Sequence, residues 1–289
     1  MANAITLAAK FVPLLDKAYA ATAKTAILNA APSEVRPTDN VGTYSIQKLT
    51  LVGLGTYSKT LGAPAGDVTL TWESFTYTQD RGRKFTVDAL DEKQAMGAFG
   101  KIAGEFMRRY EVPEIDAYRI AKIATTCGTD VAATLTTGAA TAAALNLADV
   151  TLQNAEVEGA ELVLFITPTF LGLAKTQALN TAVPIPVLDN ATVVVVPQSR
   201  MKTAITVDAG AAGNAGGYAV AAGAENVQFI LMDKNAVFAD AKHESLRVFD
   251  DKTNQAANAW LFDFRIVHDC FVFEEKLNGV YVNTADPVV

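Results

Sequence analysis

The sequence predicts an α+β protein with long strands and one long helix. Segments 44–52 and 67–78 are rich in Thr, Val, Ile and aromatic residues, which is typical of strands. Segment 259–277 alternates apolar and polar residues for most of its length. Between them, apolar residues in segment 99–110 recur at three- and four-residue steps, which places them on one face of a helix.

Composition indicates a globular protein. The chain has 289 residues, of which 50% are hydrophobic and 19% charged, enough for one large domain or two ordinary ones. The net charge of −7 argues against a dedicated nucleic-acid binder, which would need a basic patch. Cys127 and Cys270 cannot make a disulfide framework, and we expect both to be buried thiols in a reducing cytoplasm. The apolar run 162–174 contains Pro168 and is too short to span a membrane.

The N-terminal third is expected to lack a core of its own. Residues 1–31 are Ala-rich and fit an interrupted helix, and residues 32–43 form a loop with two prolines. The two strands that follow are predicted to form a long hairpin with a glycine-rich tip. In its second strand the apolar side chains change face: Val68, Leu70 and Trp72 lie on one face, and Phe75 and Tyr77 lie on the other. No single face can serve a local core, so the hairpin needs an external surface to lie on.

The central helix is predicted to begin at Asp88, which stands where an N-cap should. Pro113 biases Val112 out of the helical region, so the helix should kink or stop there, and a second short helix follows to Thr125. One stripe of the long helix carries Gly97, Gly100 and Gly104. That stripe is either a poor surface face or a place where another backbone approaches closely.

The remainder of the chain is expected to alternate strands with short helices. Pro168 begins a helix to about Lys175, and 210–223 is a flexible loop. Asn278–Gly279 is a type I′ hairpin signal, after a strand that a bulge near His268–Asp269 interrupts. The further strand predictions are 145–153 as strand or turn, 162–166, 192–196, 227–232 and the return strand 280–283.

The sequence carries little sign of catalysis. His243 and His268 belong to no His/Cys cluster with metal-ligand spacing, and no nucleophile elbow, Walker loop or dinucleotide fingerprint occurs. The acidic residues near 88–92 and 111–116 lie beside Arg and Lys, which favours helix capping and ion pairing over acid–base chemistry. Glu105 and Arg109 are spaced for an intrahelical pair. We therefore predict no enzyme, no catalytic residue, no cofactor and no metal.

Four segments resemble tailed-bacteriophage major capsid proteins of the HK97 fold, of the siphophage and prophage type. They are TWESFTYTQDRGRKFTVDALDE (71–92), EFMRRYEVPEIDAYRIAKIA (105–124), VVVVPQSRM (193–201) and KHESLRVFDDKTNQAANAWLFDFRIVHDCFVFEEKLNGVYV (242–282). The resemblance implies five parts: an N-terminal arm (1–43), an extended hairpin or E-loop (44–80), a peripheral domain with a long spine helix (81–127), an axial domain (128–224), and the C-terminal long strands of the peripheral domain (225–289).

The resemblance also implies a structural function. The chain would self-assemble into pentamers and hexamers of an icosahedral phage head that encloses double-stranded DNA without sequence specificity. Its partners would be copies of itself, a separate scaffolding protein, a portal and in some heads a decoration protein, with no membrane. It would assemble in the bacterial cytoplasm and reside in the virion. An encapsulin-like nanocompartment shell and a soluble enzyme with an acidic-residue site are the alternatives.

Candidate subunit-interface residues follow from the hairpin tip, the charged segment and the glycine stripe. A solvated side chain is the plainer interpretation of Lys59 at the tip. The candidates are Tyr57, Lys59, Arg81, Arg83, Gly97, Gly100, Gly104, Glu105, Arg108, Arg109, Glu114 and Asp116.

Overall fold

A computed structural model confirms the α+β class. It describes residues 23–29, 35–37, 43–60, 62–89, 104–157, 161–210, 216–254 and 257–285. The predicted N-terminal helix lies outside the described residues except for a 3-10 turn at Thr25–Leu28. Gly97 and Gly100 lie outside them as well.

Strands in the described residues form four sheets, in the orders β1-β2-β3, β5-β13-β10-β6-β7, β11-β12-β4 and β8-β9. Their bounds are β1 Val35–Pro37, β2 Thr43–Leu51, β3 Val68–Thr76, β4 Gln79–Asp88, β5 Thr129–Ala132, β6 Leu162–Ile166, β7 Thr192–Val195, β8 Ile205–Asp208, β9 Gly217–Val220, β10 Val227–Asp233, β11 Val237–Phe249, β12 Ala259–Val272 and β13 Val280–Thr284.

The helices of the described residues are α1 Val112–Thr125, α2 Gly138–Asn154, α3 Pro168–Thr181 and α4 Pro186–Asn190. A π-helical turn, Met107–Glu111, precedes α1. Further 3-10 turns lie at Lys234–Ala236 and Glu274–Gly279. The predicted helix from Pro168 is confirmed and runs one and a half turns further than expected.

The five-stranded sheet holds the main core. Every residue from Val227 to Met232 in its central strand β10 is buried. On β6, alternate side chains enter two clusters: Val163 and Phe165 face the cluster that includes α1, whereas Leu164 and Ile166 face α2 and α3. β10 and β13 come from segment 225–289, yet they pair with β6 and β5 of segment 128–224.

The prediction of a strand or turn at 145–153 is wrong, because these residues belong to α2. Thr137 caps this helix by accepting a bond from the Ala140 N–H at 3.2 Å. The first turns are mostly Ala, the residue with the best helix propensity, and Leu145, Ala148 and Leu152 recur at helical spacing and are buried.

The second sheet is built on β12, which is paired on both sides. Phe262, Phe264 and Ile266 of β12 share a face, as the alternation predicted, and this face packs against Met107 and Ile115 of the helical segment. β4 was not recognised as a strand in the sequence. The irregularity near His268 is on β11, between Ala241 and His243, while β12 continues through it.

The predicted hairpin at Asn278–Gly279 is wrong. Neither residue has the positive φ that a type I′ turn requires. They end the 3-10 turn Glu274–Gly279, and β13 then pairs with β10 and β5 rather than with β12. The chain therefore changes sheets at this point.

Helical structure continues through Val112, so of the two predicted outcomes, a kink or a stop before Pro113, the stop does not occur. Val112 has helical dihedrals (φ −59°, ψ −44°). Its N–H bonds to the Met107 carbonyl, five residues back, as in a π-helical turn. The predicted second helix is confirmed as α1, with Pro113 in its first turn. Likewise, 217–220 of the predicted loop 210–223 form β9.

Candidate assembly surfaces

The β2–β3 hairpin has one apolar face and one polar face. Its antiparallel register pairs Leu51 with Val68 and Leu49 with Leu70, and opposed residues share a face. Trp72, two residues after Leu70, lies on the same face. These five side chains are 49–67% exposed. The predicted change of face is therefore confirmed, and the apolar face is uncovered by its own subunit.

The opposite face attaches the base of the hairpin to the body. Ile46 and Phe75 are buried in a cluster with Phe238, Phe271 and Phe273. The Phe75 ring lies 4.9 Å from that of Phe271, centroid to centroid. The hairpin is thus anchored at one end and on one face.

A charged contact extends this attachment. Lys48 Nζ lies 3.0 Å from Glu274 Oε2 in the 3-10 turn after β12. Glu73 is half-buried nearby, and its desolvation, followed by the charge of Glu274, raises the pKa of its carboxyl. Near the base of the hairpin, its polar face therefore contacts the body of its own subunit.

The tip of the hairpin is exposed. Leu54 is fully exposed and Tyr57 is 69% exposed. Lys59 lies in the turn closed by the Ser58–Gly62 bridge and is exposed. Among the described residues, eight of the fourteen exposed large hydrophobic side chains lie between Leu49 and Trp72. Such a concentration is characteristic of a protein–protein interaction surface.

Arg81 and Glu114 contact each other within the chain. Arg81 Nε donates to Glu114 Oε1 at 2.6 Å, and the two side chains are 23% and 11% exposed. This pair joins β4 to α1. The sequence grouped both residues in a charged cluster but did not pair them.

Asp116 is buried and joins three segments. Its carboxylate accepts the N–H groups of Lys24 and Thr25 at 3.0 Å and the Arg200 Nη1 at 2.8 Å. Arg119, one turn further on α1, is 1% exposed and donates to Asn29 Oδ1 at 2.8 Å. The root of the N-terminal segment is therefore fixed to α1 by buried charges, and Asp116 is inaccessible to a neighbouring subunit.

The other charged candidates are more exposed. Glu105 pairs with Arg108 and with Arg109, whose Nε lies 2.6 Å from Glu105 Oε2, which confirms the predicted intrahelical pair. Gly104 is the first described residue of this helical segment and is half-buried. Arg83 packs over Gly210, where an added Cβ would lie 2.8 Å from its Nη1.

A cavity of about 350 Å³ lies beside Arg83. Phe85, Phe106 and Phe264 line its apolar part. Arg81, Glu111, Glu114 and Asp208 also line it, so it holds charges of both signs. This mixture indicates no particular class of ligand.

A second exposed apolar group lies on the helices that cover the five-stranded sheet. Leu147 and Val150 of α2 are about half exposed, and Leu179 of α3 is 83% exposed. Val183, just after α3, is 61% exposed. This group has four side chains, against five on the apolar face of the hairpin.

Metal-ligating residue types are scattered in the described part of the chain, and two of them, His268 and Cys270, are buried. No group of three or more metal-ligating side chains lies together within the described residues. His268 is 1% exposed, and its burial, together with Arg119, lowers its pKa to about 4. Burial raises the pKa of the Cys270 thiol to about 12. None of the helices in the described ranges is long and apolar enough to cross a membrane.

Comparison with known proteins rests on structure alone. No family model and no curated protein matches the sequence. Among solved structures, 120 chains match. The mature capsid of bacteriophage PhiM1 has a TM-score of 0.61 at 10% identity, covering 87% of this chain and 84% of that one.

Two further matches have the same character. The capsid of Cyanophage P-SCSP1u has a TM-score of 0.60 at 12% identity, covering 86% of this chain and 85% of that one. This chain has the HK97-like capsid fold. The same fold links it to a virus-like particle from Pyrococcus furiosus, with a TM-score of 0.53 at 12% identity, covering 93% of this chain and 95% of that chain.

Sequence reasoning missed the contacts that hold the hairpin to the body. β4 begins two residues after β3, and its Arg/Lys-rich sequence hid the alternation of Arg81, Arg83, Phe85 and Val87 on one face. That alternation was the signal that could have revealed it.

Proposed function

We propose that this chain is a major capsid protein that assembles with copies of itself into a closed shell. The main support for this proposal is the apolar face of the β2–β3 hairpin, which its own subunit leaves uncovered, in a chain with the HK97-like capsid fold. In this proposal the face docks on a neighbouring subunit and removes its five apolar side chains from water. Each such contact contributes modestly, and many linked contacts per subunit give a stable shell.

The proposal extends to the symmetry of the shell, its contents and its partners. Pentamers and hexamers would share one subunit, and the shell would enclose double-stranded DNA with the help of a separate scaffolding protein and a portal. The net charge of −7 suits an inner wall that contacts DNA weakly and without sequence preference. The residues proposed for subunit contacts are the exposed Tyr57, Lys59, Arg108 and Arg109 and the partly exposed Arg83 and Glu105.

Electron microscopy of the expressed protein tests the proposal. Negatively stained samples, with and without a scaffolding protein, are expected to contain closed shells of uniform size. A 30.6 kDa monomer at every concentration, even with the scaffold present, would refute shell formation.

A shell without a phage genome is the second candidate. The similarity to the virus-like particle from Pyrococcus furiosus supports it, because that chain is covered almost completely. Particle mass does not distinguish the two candidates. Packaged DNA and a portal in particles from the native source would identify a phage head, whereas a protein cargo would identify a nanocompartment.

A further inference from the structure

A two-residue corner, Tyr77–Thr78, joins the hairpin to the body of the subunit. β3, before the corner, belongs to the hairpin sheet, whereas β4, after it, is the edge of the sheet with β11 and β12. The nine residues of β3 extend about 30 Å at 3.3 Å per residue. A small change of backbone angle at the corner therefore displaces the tip by a large distance.

Two carboxylates lie side by side at this corner. Asp240 of β11 and Asp269 of β12 are directly opposed in the register, so their side chains share a face of the sheet. Directly opposed like charges destabilise a sheet. Asp269 is 1% exposed, so water cannot solvate its charge and hydrogen-bond donors must do so.

Five hydrogen bonds reach the two carboxylates, and the corner supplies three of them. The Tyr77 hydroxyl donates to Asp240 Oδ2 at 2.6 Å. Thr78 donates to Asp269 Oδ2 twice, from its backbone N–H and from its hydroxyl, each at 2.8 Å. The other oxygen, Asp269 Oδ1, accepts the Tyr118 hydroxyl of α1 at 2.9 Å and the Cys270 N–H at 2.8 Å.

We propose that Asp240 and Asp269 form a socket that fixes the direction of the hairpin, with Asp269 as the main positioning residue. Its bonds join the corner, β12 and α1, and bonds to a carboxylate are about twice as strong as neutral ones. The consequence for assembly rests on the proposed function, because a hairpin without a fixed direction cannot present its apolar face to a neighbour. The fixed direction itself does not depend on it.

Spin labels measure the direction of the hairpin. One label is placed at the tip by Lys59→Cys and one on α3 by Lys175→Cys, both exposed positions, in a Cys127→Ser background. Cys270 is fully buried and stays unlabelled. Pulsed electron resonance is recorded on dilute, unassembled subunits, so that the distances lie within one chain and no neighbour holds the hairpin.

The test variants are Asp269→Asn and Thr78→Val. Asp263→Asn, on the same strand, and Thr76→Val, at the exposed end of β3, are the matched controls. We expect a narrow distance distribution for the parent and both controls, and a broader one for both test variants. Asp269→Asn should also lower hydrogen-exchange protection of the Thr78 amide at least about tenfold, the loss expected for one charge-assisted bond.

Unchanged distributions in both test variants would overturn the socket. If Asp269→Asn fails to fold, Thr78→Val decides, because it leaves both carboxylates in place. Broad distributions with normal shells would keep the socket and refute its consequence for assembly. Absence of shells from the parent protein would refute the proposed function, while the distance distributions would still test the socket.

Discussion

The five-stranded sheet and the β2–β3 hairpin use similar strand-forming residues in opposite ways. β10 buries six consecutive residues between two layers of helices and neighbouring strands. β3 buries a single residue, Phe75, along nine. The sheet is therefore stabilised within one subunit, whereas the hairpin exposes apolar area that only another molecule can cover. Substitutions should accordingly affect folding in the first region and association in the second.

Phe229→Ala in β10 should have the largest effect on folding. Phe229 is 0% exposed and stacks on Tyr281, with ring centroids 6.0 Å apart. Removing a buried Phe side chain costs about 3–5 kcal/mol in the free energy of unfolding. Urea unfolding of the subunit measures this loss. A cost below about 1 kcal/mol would show that the sheet is not the main source of stability.

Acid should destabilise the body through His268. Its pKa is about 4 in the folded chain, against 6.5 in the unfolded chain, because burial and Arg119 disfavour the charged form of the imidazole. Only the unfolded chain gains this proton between these values, so the stability from neutral His268 is complete above pH 6.5 and falls as pH drops toward 4. From pH 7 to pH 5 the loss is about 2 kcal/mol.

His268→Gln isolates this contribution. Unfolding free energies of the parent and the variant, each measured at pH 7 and pH 5, should show a smaller pH dependence in the variant by the stated amount. The charged or titratable groups around His268 include Arg81, Arg119, Asp269 and Tyr118, and these remain in both proteins. If the free energy of unfolding depended equally on pH in the parent and the variant, protonation of His268 would not destabilise the folded chain.

Glu114→Gln should lower the free energy of unfolding by an intermediate amount. The Arg81–Glu114 pair is partly buried and joins β4 to α1, so losing the charge leaves Arg81 with a weaker partner. We expect a loss of about 1–3 kcal/mol, by analogy with hydrogen bonds to charged groups. Asp80→Asn is the control, because Asp80 pairs with Arg265 on the surface at 53% exposure. Asp80→Asn should lower the free energy of unfolding by at most about 1 kcal/mol. Equal losses in the two variants would show that burial does not strengthen the Arg81–Glu114 pair.

Local patterns in the sequence predicted the hairpin, the short buried strands and α1. Distant partners explain what was missed. β13 follows a hairpin signal, but its partners β10 and β5 lie far away in sequence, and burial between them outweighs the turn preference of Asn278–Gly279. The pairing of Arg81 with Glu114 likewise depends on how β4 meets α1, which charge pattern alone does not specify.

Trp72→Ser should have the smallest effect on folding and a large effect on association. Trp72 is 50% exposed on the apolar face of the hairpin, so the free energy of unfolding of the isolated subunit should change by less than about 0.5 kcal/mol. Shells should be lost or greatly reduced in sedimentation and electron microscopy, because aromatic residues dominate protein interfaces. Thr71→Ser, on the polar face of the same strand, should assemble normally. If Trp72→Ser forms shells as readily as this control, the apolar face is not a subunit contact. If it instead unfolds the subunit, the hairpin belongs to the core, and the contrast with the five-stranded sheet fails.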